Sequence, residues 1–135
     1  MPDMPTLSLK ISPPQSSERC NELAMSLTAL TARTLGKRAE VTAIVIDELP
    51  AARWFVAGSA VQRPTALLEI SITQGTNSAD EKAGFIAAAF EELQRQLGGS
   101  ASLETATYVT VHELPATDWG FGGLTQAGRK LRTLG

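Results

Sequence analysis

The sequence is short of several residue types, and each shortage closes off a class of protein. Cysteine occurs once, at Cys20, so no intrachain disulfide and no cysteine-rich structural zinc site can form, which suits a reducing cytoplasm. Histidine also occurs once, at His112, which leaves His-based metal sites and Ser-His-Asp chemistry without partners. No apolar run approaches the ~18 residues needed to span a bilayer. The opening Met1-Pro2-Asp3-Met4-Pro5 has neither the positive nor the apolar region of a signal peptide. A cytoplasmic protein with no membrane contact is expected. There is no basic excess either: 12 Lys+Arg against 14 Asp+Glu give a net charge of -2, which argues against nucleic-acid partners. What is present is ordinary for a globular chain, 43% hydrophobic and 19% charged, over 135 residues that make one compact domain.

That domain is written twice. Glu48-Leu49-Pro50-Ala51 recurs 65 residues later as Glu113-Leu114-Pro115-Ala116, and Trp54 and Gly58 recur at the same spacing as Trp119 and Gly123. Nearer the N-terminus the spacing is 62, carrying Ser16 to Ser78 and Leu35-Gly36 to Leu97-Gly98. The slip predicts three extra residues between helix and strand in the second copy. The pseudo-repeats are 4–62 and 63–124, followed by a tail, 125–135.

Each copy reads as strand, helix, strand. Leu7, Leu9 and Ile11 alternate with polar residues over 5–12, and Leu68, Ile70 and Ile72 do so over 65–73, the period of a half-buried strand. Between Ser17 and Leu35, Cys20, Leu23, Leu27 and Leu30 form a helical stripe that ends at Gly36. The second helix opens on a capping box, Ser78 with Glu81, is expected to turn Ile86, Ala89, Phe90, Leu93 and Leu97 inward, and ends at Gly98-Gly99. Val41–Glu48 and Thr107–Glu113 supply the second strands.

Two βαβ crossovers give an α/β (α+β) fold in which a four-stranded mixed sheet carries both helices on one face. The opposite face, expected to hold several apolar side chains, has no cover within the chain, which predicts an oligomer. The glycines of Gly120-Phe121-Gly122-Gly123 lack the Lys-Ser/Thr of a phosphate loop and read as a turn or edge ribbon.

The tandem βαβ units, the proline opening the first strand and the run Asp118-Trp119-Gly120-Phe121-Gly122-Gly123 resemble the tautomerase superfamily. The second half resembles 4-oxalocrotonate tautomerase subunits without a gap from Leu103 through Gly123. The first half does so over Pro5 to Ile11 and Glu48 to Gly58. Chain length and Leu35-Gly36-Lys37 are similar to fused members such as macrophage migration inhibitory factor. The resemblance implies a homotrimer and a cofactor-independent and metal-independent keto–enol tautomerase acting on a small 2-oxo acid or enol. Its base would be an N-terminal proline amine whose pKa is lowered by burial and nearby cations. By strand register that proline is Pro5, free if the chain starts at Met4; by removal of Met1 it is Pro2.

Substrate contacts implied by the resemblance are Lys37, Tyr108, Trp119 and Phe121. Ala43 and Tyr108 stand where members acting on dicarboxylates have an arginine, which points to a monoacid or neutral enol. Each contact also has a plainer reading: Lys37 as a cation at a helix C-terminus, Tyr108 as core, and Trp119 and Phe121 as packing. Cys20 reads as a small buried hydrophobe. The alternative function is a catalytically inactive binding or assembly module on the same fold.

Overall fold

The computed structural model describes residues 4–129, so Pro2 and positions 130–135 of the tail lie outside the described residues. The first copy contains β1 (Thr6–Ser12), α1 (Ser17–Leu35) and β2 (Ala43–Glu48), followed by the two-residue strands β3 (Phe55–Val56) and β4 (Ser59–Ala60). The second contains β5 (Thr65–Thr73), α2 (Ala79–Leu93), β6 (Tyr108–Leu114), β7 (Gly120–Phe121) and β8 (Leu124–Thr125). Their order in the main sheet is β2-β1-β5-β6. Each crossover makes a parallel pair, β1 with β2 and β5 with β6, and the two pairs join antiparallel through β1 and β5. The expected α+β architecture, with a mixed sheet and both helices packed on one face, is the observed one.

The helix ends explain the element lengths. Ser16 caps α1 by accepting from the Arg19 amide, and Gly36 closes it at φ 69, a left-handed conformation in which a side chain would be strained. Ser78 and Glu81 form the expected capping box. At its far end α2 runs into a π-turn, Gln94–Gly98, before Gly99 turns away at φ 58. The link that follows, 99–107, is three residues longer than its counterpart 37–42, as the repeat spacing predicts. The second strands begin later than expected, at Ala43 and Tyr108, because a short 3-10 turn takes up Ala39–Val41 and a turn precedes Tyr108.

The core lies between the helices and one sheet face. Leu7, Leu9 and Ile11 from β1 and Leu68, Ile70 and Ile72 from β5 are buried against Leu23, Leu27 and Leu30 of α1 and Phe85, Ala89 and Leu93 of α2. The expectation for α2 is corrected here: Ile86 and Phe90 are exposed, and Phe85 is the residue that is fully buried. Both rows are apolar, so periodicity alone does not choose between them. Lys82 shares its row with Ile86 and Phe90, four and eight residues on, and its ammonium is tied to Glu113 on the edge strand β6. That row therefore runs along the sheet edge, leaving the Phe85 row for the core.

The opposite sheet face is uncovered, as expected, but it is more polar than expected. Alternation along the strands places Thr6, Ser8, Lys10, Glu69, Ser71, Thr110 and His112 there, with Val45, Leu67 and Tyr108 as its larger apolar members. His112 Nε2 lies 2.8 Å from Glu69 Oε2 across β5 and β6. Both short strand pairs are hairpins with positive φ at their two central residues, Ala57-Gly58 and Gly122-Gly123, the turn whose twist suits a two-residue loop. The Gly120-Phe121-Gly122-Gly123 run is thus a ribbon and turn. Among the described residues no helix is long and apolar enough to cross a membrane.

Truncating Phe85 to alanine is expected to destabilise the protein by about 3–5 kcal/mol. Ile86→Ala should cost about 1 kcal/mol or less. Urea denaturation midpoints of the two variants separate the buried row from the edge row.

Candidate functional site

The antiparallel junction of β1 and β5 brings the N-terminal end of β1 beside the C-terminal end of β5. Pro5, at this end, is fully buried, and its carbonyl accepts from the Ala43 amide at 3.2 Å. Because α1 runs back over the sheet, its C-terminus returns here too and delivers Lys37, only 7% exposed. Lys37 Nζ donates to Thr76 Oγ1 at 3.0 Å, and Thr76 Oγ1 donates to the Thr73 carbonyl at 2.7 Å. Asn77 Nδ2 donates to the Leu35 carbonyl at 2.9 Å, tying the turn between β5 and α2 to the end of α1. Glu81 is held below the usual carboxylate range, chiefly by the Ser78 amide, then by Asn77, with the charge of Lys37 a smaller contribution.

A second cluster stands at the same end of β6. Glu113 accepts from Lys82 Nζ at 2.7 Å and from the Gly75 amide at 3.4 Å. Those contacts, the Lys82 hydrogen bond first, lower its pKa. The repeat places an altered version in the first copy, where Cys20 occupies the position of Lys82 and Glu48 that of Glu113. Glu48 accepts from the Gln15 amide, as Glu113 does from Gly75. Burial, then the charge of Glu48 and a hydrogen bond to it, push the Cys20 thiol up. Cys20 is half-buried and packs against the core, as its place on the helical stripe implies, and its environment disfavours the nucleophilic thiolate.

Of the residues singled out in the sequence, Pro5 and Lys37 share one end of the sheet. Trp119 and Phe121 follow β6, whose last residue, Leu114, pairs with Thr73; they leave from that same end but on the edge side, two strands from Pro5. Trp119 is half-buried, with a buried indole N–H that meets no acceptor among the described residues. Phe121 lies under the Arg129 guanidinium, 3.6 Å from its ring centroid. Tyr108 is 63% exposed and sits at the other end: it pairs with Leu67, which pairs with Lys10, about 17 Å along β1 from Pro5 at strand rise. Within one chain Tyr108 does not meet Pro5. Pro2 lies outside the described residues.

Thr76, which accepts from Lys37, and Asn77, which ties the turn to the end of α1, carry no signal in the sequence; the repeat marks Glu113 through Glu48 but not Lys82, whose counterpart is Cys20. The two copies do not furnish equal ends. The register that carries Leu7 to Leu68 carries Pro5 to Ala66, and the helix spacing carries Lys37 to Gly99, so the far end has neither group. Among the described residues no three His, Cys, Asp or Glu side chains cluster so as to hold a metal ion.

No family model and no curated protein sequence matches the chain. Solved structures do. A fused 4-OT, wild type and solved as an asymmetric trimer, is 29% identical, with a TM-score of 0.79 over 96% of this chain and 98% of its own. A native fused 4-OT is 27% identical at a TM-score of 0.77, covering 90% of this chain and 96% of its own. A macrophage migration inhibitory factor-like protein from Entamoeba histolytica shares the fold at 17% identity, with a TM-score of 0.74 over 90% of this chain and 98% of its own.

Replacing Lys82 with methionine removes the largest cause of the low Glu113 pKa, so a carboxyl-carbon NMR titration should show that pKa moving up toward its ordinary value. A carboxyl depressed by folding stabilises the native state above its unfolded pKa of about 4.3, and that contribution is lost as pH falls through the folded value. The melting temperatures of wild type and Lys82→Met should therefore differ most near neutrality and converge in acid. The gap should be small, since both groups are partly solvated.

Proposed function

The chain fits the fused tandem branch of the tautomerase superfamily, and from that premise we propose that it is a homotrimeric, cofactor-independent keto–enol tautomerase of a small 2-oxo acid or enol. The observation that carries this reading is the pairing of a fully buried Pro5 with a buried Lys37 at one end of the sheet. In a chain that begins at Pro5 the nitrogen is a secondary amine. Burial and the nearby ammonium both disfavour its protonated form, lowering it from the ordinary α-amino range of about 7.7–8.0. Such an amine takes the hydroxyl proton of an enol as the carbonyl forms and a proton is returned to the adjacent carbon. Substrate and product are isomers, so no redox partner is consumed.

The roles of the other residues are assigned from the resemblance. Lys37 offers a positive charge to the carboxylate or the developing enolate. Trp119 and Phe121 supply apolar wall on the β6 side, and Tyr108 reaches a Pro5 site only from another subunit. The fused 4-OT neighbours solved as trimers support an oligomeric assembly, and the trimer is proposed for this chain on that basis. With Ala43 and Tyr108 at the positions discussed for arginine, one carboxylate or none is the expected substrate charge. Pro2, freed by removal of Met1, is the alternative base.

A second reading is favoured by one specific observation. When Met4 precedes it, the Pro5 nitrogen is a tertiary amide with no basic lone pair, and where Pro2 does not serve as the base the protein is a binding or assembly module on this fold.

Ketonisation of phenylenolpyruvate, followed by its ultraviolet absorbance, separates these readings when measured on chains beginning at Met1, Pro2 and Pro5. The Pro5-initiated chain is expected to be the active form, and Pro5→Ala in it should lower kcat by about 10²–10⁴-fold, the usual contribution of a positioned general base. Undiminished turnover in that variant would sink the Pro5 mechanism. Sedimentation equilibrium should return three times the 14.3 kDa chain mass.

A further inference from the structure

The sheet face that the helices leave open is already buried at its ends within one chain. Alternation puts Ser12 and Thr65 on this face at one end and Thr73 at the other, and all of these are buried. The band between them stays open, and among the described residues its charged side chains come one to a strand. Asp47 on β2 stands opposite Lys10 on β1, and His112 Nε2 on β6 lies 2.8 Å from Glu69 Oε2 on β5. That last pair is not sealed from water: the His112 side chain is 45% exposed and the Glu69 side chain 35%.

Across the sheet the signs therefore run minus, plus, minus, and then a group whose sign depends on a proton. Histidine is the side chain whose unperturbed titration falls between about pH 5 and 8, and His112 is the only one in the chain. Glu69 faces it from β5, Lys10 and Asp47 stand farther across the face on β1 and β2, and Tyr108 shares its strand. With a neutral imidazole the band has an unbalanced carboxylate; with the proton on, both signs are equal in number. Such an alternating band is complementary to another copy of itself. An apolar partner would strand its charges, and a polyanion would meet its carboxylates.

We infer that this band is a surface through which copies of the chain associate, and that association takes up a proton at His112. The inference rests on the oligomeric part of the tautomerase reading and not on its chemistry. Closing the band takes the Glu69 carboxylate out of water, which is costly unless the charge is paired. An imidazolium supplies an opposite charge and a charge-assisted hydrogen bond, whereas a neutral imidazole supplies the hydrogen bond alone. Every copy in the assembly repeats this coupling. A proton bound more tightly in the assembled state favours association at low pH, and that advantage is lost as pH rises through the imidazole range.

The test follows association by sedimentation velocity at about pH 6 and about pH 8, at constant ionic strength. The assembly is dissociated by dilution, or with urea where dilution is not enough. Wild type is expected to associate about tenfold more weakly per chain at the higher pH. His112→Gln should remove the pH dependence, and so should Glu69→Gln. His112→Lys, with its permanent charge, should associate tightly at both pH values. Because the chain has one histidine, its imidazole carbon signal in NMR reports on this group alone, and the proton should persist to higher pH in assembled wild type than in assembled Glu69→Gln. Equal association of wild type at both pH values overturns the inference. So does a pH dependence that survives in His112→Gln, which places the proton on another group such as the α-amino terminus. A wild type that is monomeric at both pH values overturns the trimer as well, whereas the proline chemistry is decided separately by phenylenolpyruvate turnover.

Discussion

The central antiparallel pairing of β1 with β5 is the contact on which the rest depends. Each βαβ unit can hold its own two strands parallel, but neither has enough helix or sheet to bury a core of useful size alone. Joining them through β1 and β5 sets Leu7, Leu9 and Ile11 beside Ile70, Leu68 and Ala66 and creates one continuous apolar face. It also sets the helices side by side on that face. Reversed direction at this junction has a chemical result as well as a mechanical one. The start of β1, the end of β5, the end of α1 and the start of α2 all meet at one corner, which is why a proline, a lysine and a turn far apart in sequence become neighbours.

Polar contacts lock that corner from outside the core. Asn77 bridges the turn to the end of α1, Thr76 sits between Lys37 and the Thr73 carbonyl, and Glu113 gathers Lys82 and the Gly75 amide. None of these is a strong stabiliser singly, being partly solvated. Their joint effect is positional: they fix where Lys37 points and how β5 turns into α2. The first copy has the same carboxylate at Glu48 but a thiol at Cys20 in place of the ammonium, so the equivalent corner is held less firmly by charge.

Strand and helix existence were legible because the period of two in 7–11 and 68–72 and the stripe 23-27-30 are unambiguous, and because Ser16, Gly36, Ser78 and Glu81 are punctuation with direct mechanical roles. Mixed topology followed from the repeat. The rotation of α2 was not legible, since Phe85 and Ile86 are adjacent and equally apolar; the Phe85, Ala89 and Leu93 row packs in the core, while Lys82 on the other row reaches Glu113 at the sheet edge. The polar character of the uncovered face was misjudged because alternation identifies a face without saying what a partner would need from it. For the candidate site, Pro5 and Lys37 could be paired from the fold class, whereas the turn that holds Lys37 could not: Thr76 and Asn77 look like any loop residues until the antiparallel junction brings them against α1.

The inequality of the two copies has a consequence for symmetry. A trimer of duplicated chains would have six βαβ units, and because β1 and β5 join antiparallel, identical units would be related by twofold as well as threefold axes, with three equivalent corners at each end. Ala66 and Gly99, standing where the first copy has Pro5 and Lys37, remove that equivalence. Equipped and blank corners would lie at opposite ends of such an assembly, giving three proposed sites to six units, all facing the same way.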